Sequence, residues 1–135
     1  MAKPKAVVLD SWAVMAYLED EPSAGKIADI IADAHENNTP LLMTVINLGE
    51  VWYIVAREAS EADADRCEKE LRRLGIEFVD VDWSLTQQAA RFKSQHRMSF
   101  ADCFAAALAK QKKAHLVTGD QEFKQVQGEI SIVRA

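Results

Sequence analysis

Apolar residues recur along this chain in two rhythms, short continuous runs and helical stripes, and the two take turns. The run Lys5 to Leu9 carries AVVL and stops at Asp10, the profile of a buried strand with an acid at its C-terminal end. Ser11 to Leu18 reads as a short helix with Trp12, Met15 and Leu18 on related faces, broken at Glu19 to Pro22. Ser23 is placed to cap a second helix, in which Ile27, Ile30, Ile31 and Ala34 follow helical spacing as far as Asn37 and Asn38. Leu41 to Met43 predicts the second strand, and Thr44 the N-cap of a long apolar helix reaching about Glu58. Ser60 and Asp63 have the spacing of a capping box ahead of a helix to Leu74. Its thin stripe of Cys67, Leu71 and Leu74 assigns that helix to the outside, with Gly75 as its stop.

Glu77 to Asp82 alternates, which predicts a strand near a sheet edge with Asp80 and Asp82 on its polar face. Ser84 to His96 predicts a helix with Leu85, Ala89 and Phe92 inward. Leu116 to Thr118 predicts a short strand ended by Gly119 and Asp120, followed by one helical turn at Glu122 to Val126 and a last edge strand at Ile130 to Val133. Between these lies Ser99 to Lys113. From Phe100 to Ala109 every residue except Asp102 is apolar, so a helix here runs through the interior. Strands alternating with helices of this length predict a single domain over residues 1–135, an α/β fold with three α/β/α layers and a central, mostly parallel sheet built from right-handed crossovers.

A chain of 135 residues is long enough for one such core. Hydrophobic content of 49% with 27% charged residues is that of an ordered globular protein. The run Ala6 to Leu9 is too short for a signal-peptide core or a membrane span, which leads us to expect a cytoplasmic protein with no membrane partner. Cys67 and Cys103 form no CxxC or Cys/His spacing, and His35, His96 and His115 are scattered. Zinc and a disulfide framework are therefore disfavoured, leaving two reduced thiols.

The net charge of -5 speaks against a nucleic-acid partner, but its distribution changes that. From Arg91 to His115 lie Arg91, Lys93, Arg97, Lys110, Lys112 and Lys113 against the lone acid Asp102. They are either solvated helix ends whose cations suit the C-terminal dipole or a rim that faces phosphates. On the second reading Arg91, Lys93 and Arg97 are the candidate nucleic-acid contacts, because they precede the loop into Asp102. Lys110, Lys112 and Lys113 lie at the far end of the next helix.

Four acids stand apart from the solvated ones. In open parallel sheets ligands bind beyond the C-terminal ends of the strands. Asp10 and Asp120 each follow a strand, Glu50 sits in the helix after the second strand, and Asp102 opens the apolar helix. Capping accounts for Asp10, Asp102 and Asp120 one at a time. It does not account for Glu50, which has Ile46 and Ile54 at i-4 and i+4. Carboxylates gathered in one pocket repel one another unless protons or cations neutralise them, and an oxygen-only ligand set favours Mg²⁺ or Mn²⁺. The chemistry such a set implies is phosphoryl transfer or phosphodiester hydrolysis. Glu122 is a further acid nearby, read here as an exposed helix-start residue.

Asp10-Ser11, Asn47-x-x-Glu50, Ser99-x-x-Asp102 and Thr118-x-Asp120-x-x-Phe123 together resemble, in order and along the whole chain, the four motifs of PIN-domain ribonucleases. At this length the chain is similar to the VapC-type toxins of prokaryotic toxin-antitoxin pairs. The resemblance implies a Mg²⁺-dependent endonuclease acting on RNA, a homodimer, and inhibition by a separately encoded antitoxin. It also implies Asp10, Asp102 and Asp120 as the principal metal carboxylates, with Glu50 at a second ion or a bound water. Ser11 and Thr118 would hold water or a phosphate oxygen, and Asn47 would orient Glu50. Trp12 departs from the pattern, which usually has a smaller residue there.

Two other classes compete. Aspartyl-phosphate hydrolases of the haloacid dehalogenase type also place an Asp after the first strand, but their Asp-x-Asp motif is broken here by Trp12, and Lys124 stands where a further Asp is expected. A non-catalytic RNA- or protein-binding domain would leave the acids as caps only, and it explains Glu50 poorly.

Overall fold

The computed structural model describes residues 4–135 and places them in a five-stranded, all-parallel sheet between two helical layers, the three-layer arrangement expected from the sequence. The strands are β1 (Val7–Leu9), β2 (Leu41–Thr44), β3 (Ile76–Val79), β4 (His115–Thr118) and β5 (Ser131–Arg134), in spatial order β3-β2-β1-β4-β5. The helices are α1 (Ser11–Leu18), α2 (Ala24–Glu36), α3 (Val45–Glu58), α4 (Glu61–Arg73), α5 (Trp83–Gln95) and α6 (Phe100–Lys112), with a 3-10 segment at Gln121–Val126. No helix among the described residues is long and apolar enough to cross a membrane.

Side-chain alternation along the strands divides the core in two. Ala6, Val8, Leu42 and Leu116 face α5, α6 and the 3-10 segment, where they meet Leu85, Phe92, Leu108 and Phe123. Val7, Leu9, Leu41, Met43 and Val117 face the other layer, meeting Ala13, Ile27, Val51 and Leu71. Both faces of the central strands are covered, which is why they read as unbroken apolar runs. Helix α6 is buried from Asp102 through Ala109, and its alanines let it lie close to the sheet. At its end Lys113 takes the left-handed conformation, with φ 52°, in the role usually given to glycine.

Two local expectations change, and one residue does more than expected. β3 stops at Val79, and Asp82 is the N-cap of α5: its Oδ1 accepts from the Leu85 amide at 2.8 Å, so it does not belong to a strand face. Alternation in Glu77 to Asp82 runs on past the strand because Val81 also packs inward. Ser23 is in the αR region and makes no side-chain cap bond, so α2 starts without the hydroxyl expected there. Thr44 serves two elements, ending β2 and capping α3 through its bond from the Asn47 amide.

Candidate active site

Strand order reverses between β1 and β4, and a crevice opens beyond their C-terminal ends. The first residue past β1 is Asp10, only 1% exposed. It caps α1 by accepting the Ala13 amide on Oδ1 at 2.8 Å, while Oδ2 accepts the Thr118 hydroxyl at 2.5 Å. The same Thr118 oxygen accepts the Asp120 amide at 3.0 Å, so one buried hydroxyl braces both acids. Asp120 caps the 3-10 segment by accepting the Glu122 amide at 2.9 Å, and Arg134 Nη1 donates to the Asp120 carbonyl at 2.6 Å from β5. On the opposite side Ser99 caps α6 at the Asp102 amide, 3.1 Å away, and the Ser99 amide donates to Glu122 Oε2 at 3.4 Å. The tight 3-10 turn thus folds Glu122 back over the start of α6.

The consequence is a trio. Asp102, Asp120 and Glu122 each offer a carboxylate oxygen, all within 4.8 Å of one another. Glu122, read from the sequence as an exposed helix-start residue, is half-buried and belongs to this cluster. No local signal in the sequence marks it, because what brings it to the cluster is the 3-10 turn and the Ser99 amide 23 positions earlier. Asp10 is not one of the three, and both its oxygens are already accepting. Glu50 lines the same cleft, about 770 Å³ in volume, together with Trp12, Ser99 and the trio.

Among the described residues Asn47 makes no hydrogen bond to Glu50. It is fully buried, and its Oδ1 accepts the Thr44 hydroxyl at 2.5 Å while Nδ2 donates to the Ala101 carbonyl at 3.1 Å. Ser11 Oγ donates to the Asn47 carbonyl at 3.1 Å. These two residues tie α1 and α3 to the start of α6, and thereby set where Asp102 stands. Trp12 has a structural partner of its own: a Cβ at Gly119 would come within 2.3 Å of the indole Cη2 and Cζ2, so the ring lies directly on the Gly119 backbone.

Charge in this cleft is poorly compensated. Burial pushes Asp10 from 3.8 up to about 7, against the bonds from Thr118 and Ala13, and repulsion from Asp120 and Glu50 adds to the rise. Asp102 is pushed up to about 8, first by burial, then by the neighbouring Glu122 carboxyl as a hydrogen-bonding partner, then by repulsion from Asp120 and Asp10. Glu122 is held below the usual carboxylate range by Asp102 as a hydrogen-bonding partner, then, against its own partial burial, by the Ser99 amide and the Lys93 ammonium. Among the described residues no cationic side chain forms an ion pair with any of these five acids. Hard oxygen donors, crowded and unpaired, fit a hard divalent cation.

Of the basic candidates, Lys93 is drawn to the rim, its Nζ donating to the Met98 carbonyl at 2.7 Å. Arg97 is pinned by its backbone to Gln125 of the 3-10 segment, at 3.0 Å in both directions, and its side chain is exposed. Arg91 is exposed on α5, with Gln88 as its 3.4 Å neighbour.

The fold is shared with solved structures. A chain of VapBC2 from Rickettsia felis, bound to promoter DNA, superposes with a TM-score of 0.75 at 18% identity, covering 96% of this chain and 98% of that one. VapC20 of Mycobacterium tuberculosis, described as a sarcin-ricin loop cleaving toxin, does so with a TM-score of 0.71 at 16% identity, over 96% and 100% of the two chains. DNA-bound VapBC from Salmonella typhimurium gives 0.74 at 14% identity, over 96% and 97%. No curated protein sequence is significantly similar to this chain. The PIN domain family profile matches residues 7–129, which span the sheet from β1 to the end of the 3-10 segment and every acid of the cleft. By that match the chain belongs to the PIN domain family.

Proposed function

We propose that this PIN domain is an endoribonuclease dependent on Mg²⁺ or Mn²⁺, the toxin of a type II toxin-antitoxin pair, acting in the cytoplasm as a homodimer restrained by a separate antitoxin protein. The observation that carries the nuclease reading is the convergence of Asp102, Asp120 and Glu122 within 4.8 Å beside buried Asp10. The likeness of the fold to VapBC complexes and to a toxin that cleaves the sarcin-ricin loop supports the RNA substrate and the antitoxin partner.

Asp102, Asp120 and Glu122 would hold the ion, with Asp10 as a further buried charge and Glu50 at a second ion or a water. When bound, a divalent ion here supplies an acidified water and neutralises charge that builds on the phosphate. Thr118 keeps Asp10 and the Asp120 loop in fixed relation, and Asn47 and Ser11 do the same for the start of α6. Lys93 and Arg97 offer cations to the RNA backbone, which the acids would otherwise repel. A phosphoaspartate route through Asp10 is disfavoured, because that carboxylate is 1% exposed and both its oxygens are bonded to neighbours.

Single-stranded RNA should be cut in Mg²⁺ or Mn²⁺ and left intact once EDTA removes the ion, as read by gel electrophoresis of end-labelled oligonucleotides. Undiminished cleavage in EDTA would remove the metal-dependent reading.

A further inference from the structure

We propose that Trp12 is the base-binding residue of the cleft, stacking an unpaired nucleobase adjacent to the scissile phosphate. This rests on the nuclease reading above. The indole lies on the Gly119 backbone, between Thr118 and Asp120, so it is held at a fixed position relative to the Asp120 loop. It is nevertheless only partly buried and lines the cleft that Glu50, Asp102, Asp120 and Glu122 also line. The lining includes further apolar groups, Met15, Pro22 and Ile54, and two more acids, Glu19 and Glu21. Those acids repel a phosphodiester, so the part of a nucleotide that settles against Trp12 is the neutral base. A flat ring, pre-fixed by packing, loses little freedom when a base stacks on it.

Stacking of one base on an aromatic ring corresponds to roughly 5- to 150-fold in binding. The test uses wild type, Trp12→Phe and Trp12→Ala with a single-site RNA in Mn²⁺, and the same RNA carrying an abasic nucleotide on either side of the cleaved bond. On one side, removal of the base should raise KM of the wild type roughly 5- to 150-fold. Trp12→Ala should show a comparable rise on intact RNA, with kcat changed far less, and little further loss on the abasic RNA. Trp12→Phe should keep most of the base effect. Should Trp12→Ala fail to fold, Trp12→Leu carries the comparison, since leucine fills space over Gly119 without an aromatic face. An abasic penalty equal in wild type and in the Ala or Leu variant would overturn the stacking inference alone. Failure of the wild type to cut any RNA in Mn²⁺ would overturn the nuclease reading and this inference with it.

Discussion

Replacing Asp102 by Asn should lower RNA cleavage by on the order of 10³-fold, about 4 kcal/mol at the barrier, and at the same time raise the Tm of the metal-free protein. The two effects have one cause. Asp102 is buried at the start of α6 among other acids, and its carboxylate is pushed up to about 8, so near neutral pH the fold carries a group that resists ionisation. Asn keeps the shape, leaves the Ser99 cap bond to the backbone intact, and removes the charge. The relief should appear as a gain of roughly 5 °C at pH 8 in EDTA, since about 1 kcal/mol moves Tm by a few degrees in a domain of this size. Cleavage should fail because an ion held there would lose one of three converging ligands. Cleavage kinetics beside a thermal melt read both. A Tm that drops by several degrees would show that the Asp102 carboxylate holds the fold together, not the ion.

The pH dependence of the metal-free protein should run opposite to that of most acidic proteins. Asp10 and Asp102 have folded-state pKa values raised from 3.8 to about 7 and about 8. Between those limits the native chain holds protons that the unfolded chain has released, so stability is fully present below about pH 4 and is lost as pH rises through 7 to 8. For Asp10, which is 1% exposed, the loss is on the order of 4 kcal/mol. Glu122 is shifted the other way, so its contribution is complete above the usual carboxylate range and does not alter the slope in this window. Metal binding needs the ionised carboxylates, so Mn²⁺ should raise Tm little at pH 5.5 and strongly at pH 8.5. Melts across pH, with EDTA and with Mn²⁺, check this. A metal-free Tm that climbs from pH 5 to pH 8.5 would contradict it.

Legibility from sequence followed the range of the interactions involved. The strands were readable because each central one is apolar on both faces, and α6 because nine of its first ten residues, from Phe100, are apolar. Caps at Thr44, Ser60 and Ser99 were readable because the bond closes three residues away. Asp82 was misread since alternation continues past the strand into Val81, and the cap bond to Leu85 looks like nothing in a periodicity. Asp10, Glu50, Asp102 and Asp120 could be placed at one sheet end by topology alone. Glu122 could not, because a half-buried acid in a 3-10 turn has the same local sequence as an exposed one, and what buries it is the Ser99 amide 23 positions earlier. The role of Asn47 was lost for a similar reason: its amide reaches the Ala101 carbonyl, 54 positions away.

Whether the carboxylates at this sheet end hold a divalent ion can be read from crystals grown with Mn²⁺, through the anomalous signal of the metal. An anomalous peak is expected among the carboxylate oxygens of Asp102, Asp120 and Glu122, and it should vanish in Asp102→Asn. A peak elsewhere on the molecule, or none in this cleft at saturating Mn²⁺ and pH 8, would contradict the account.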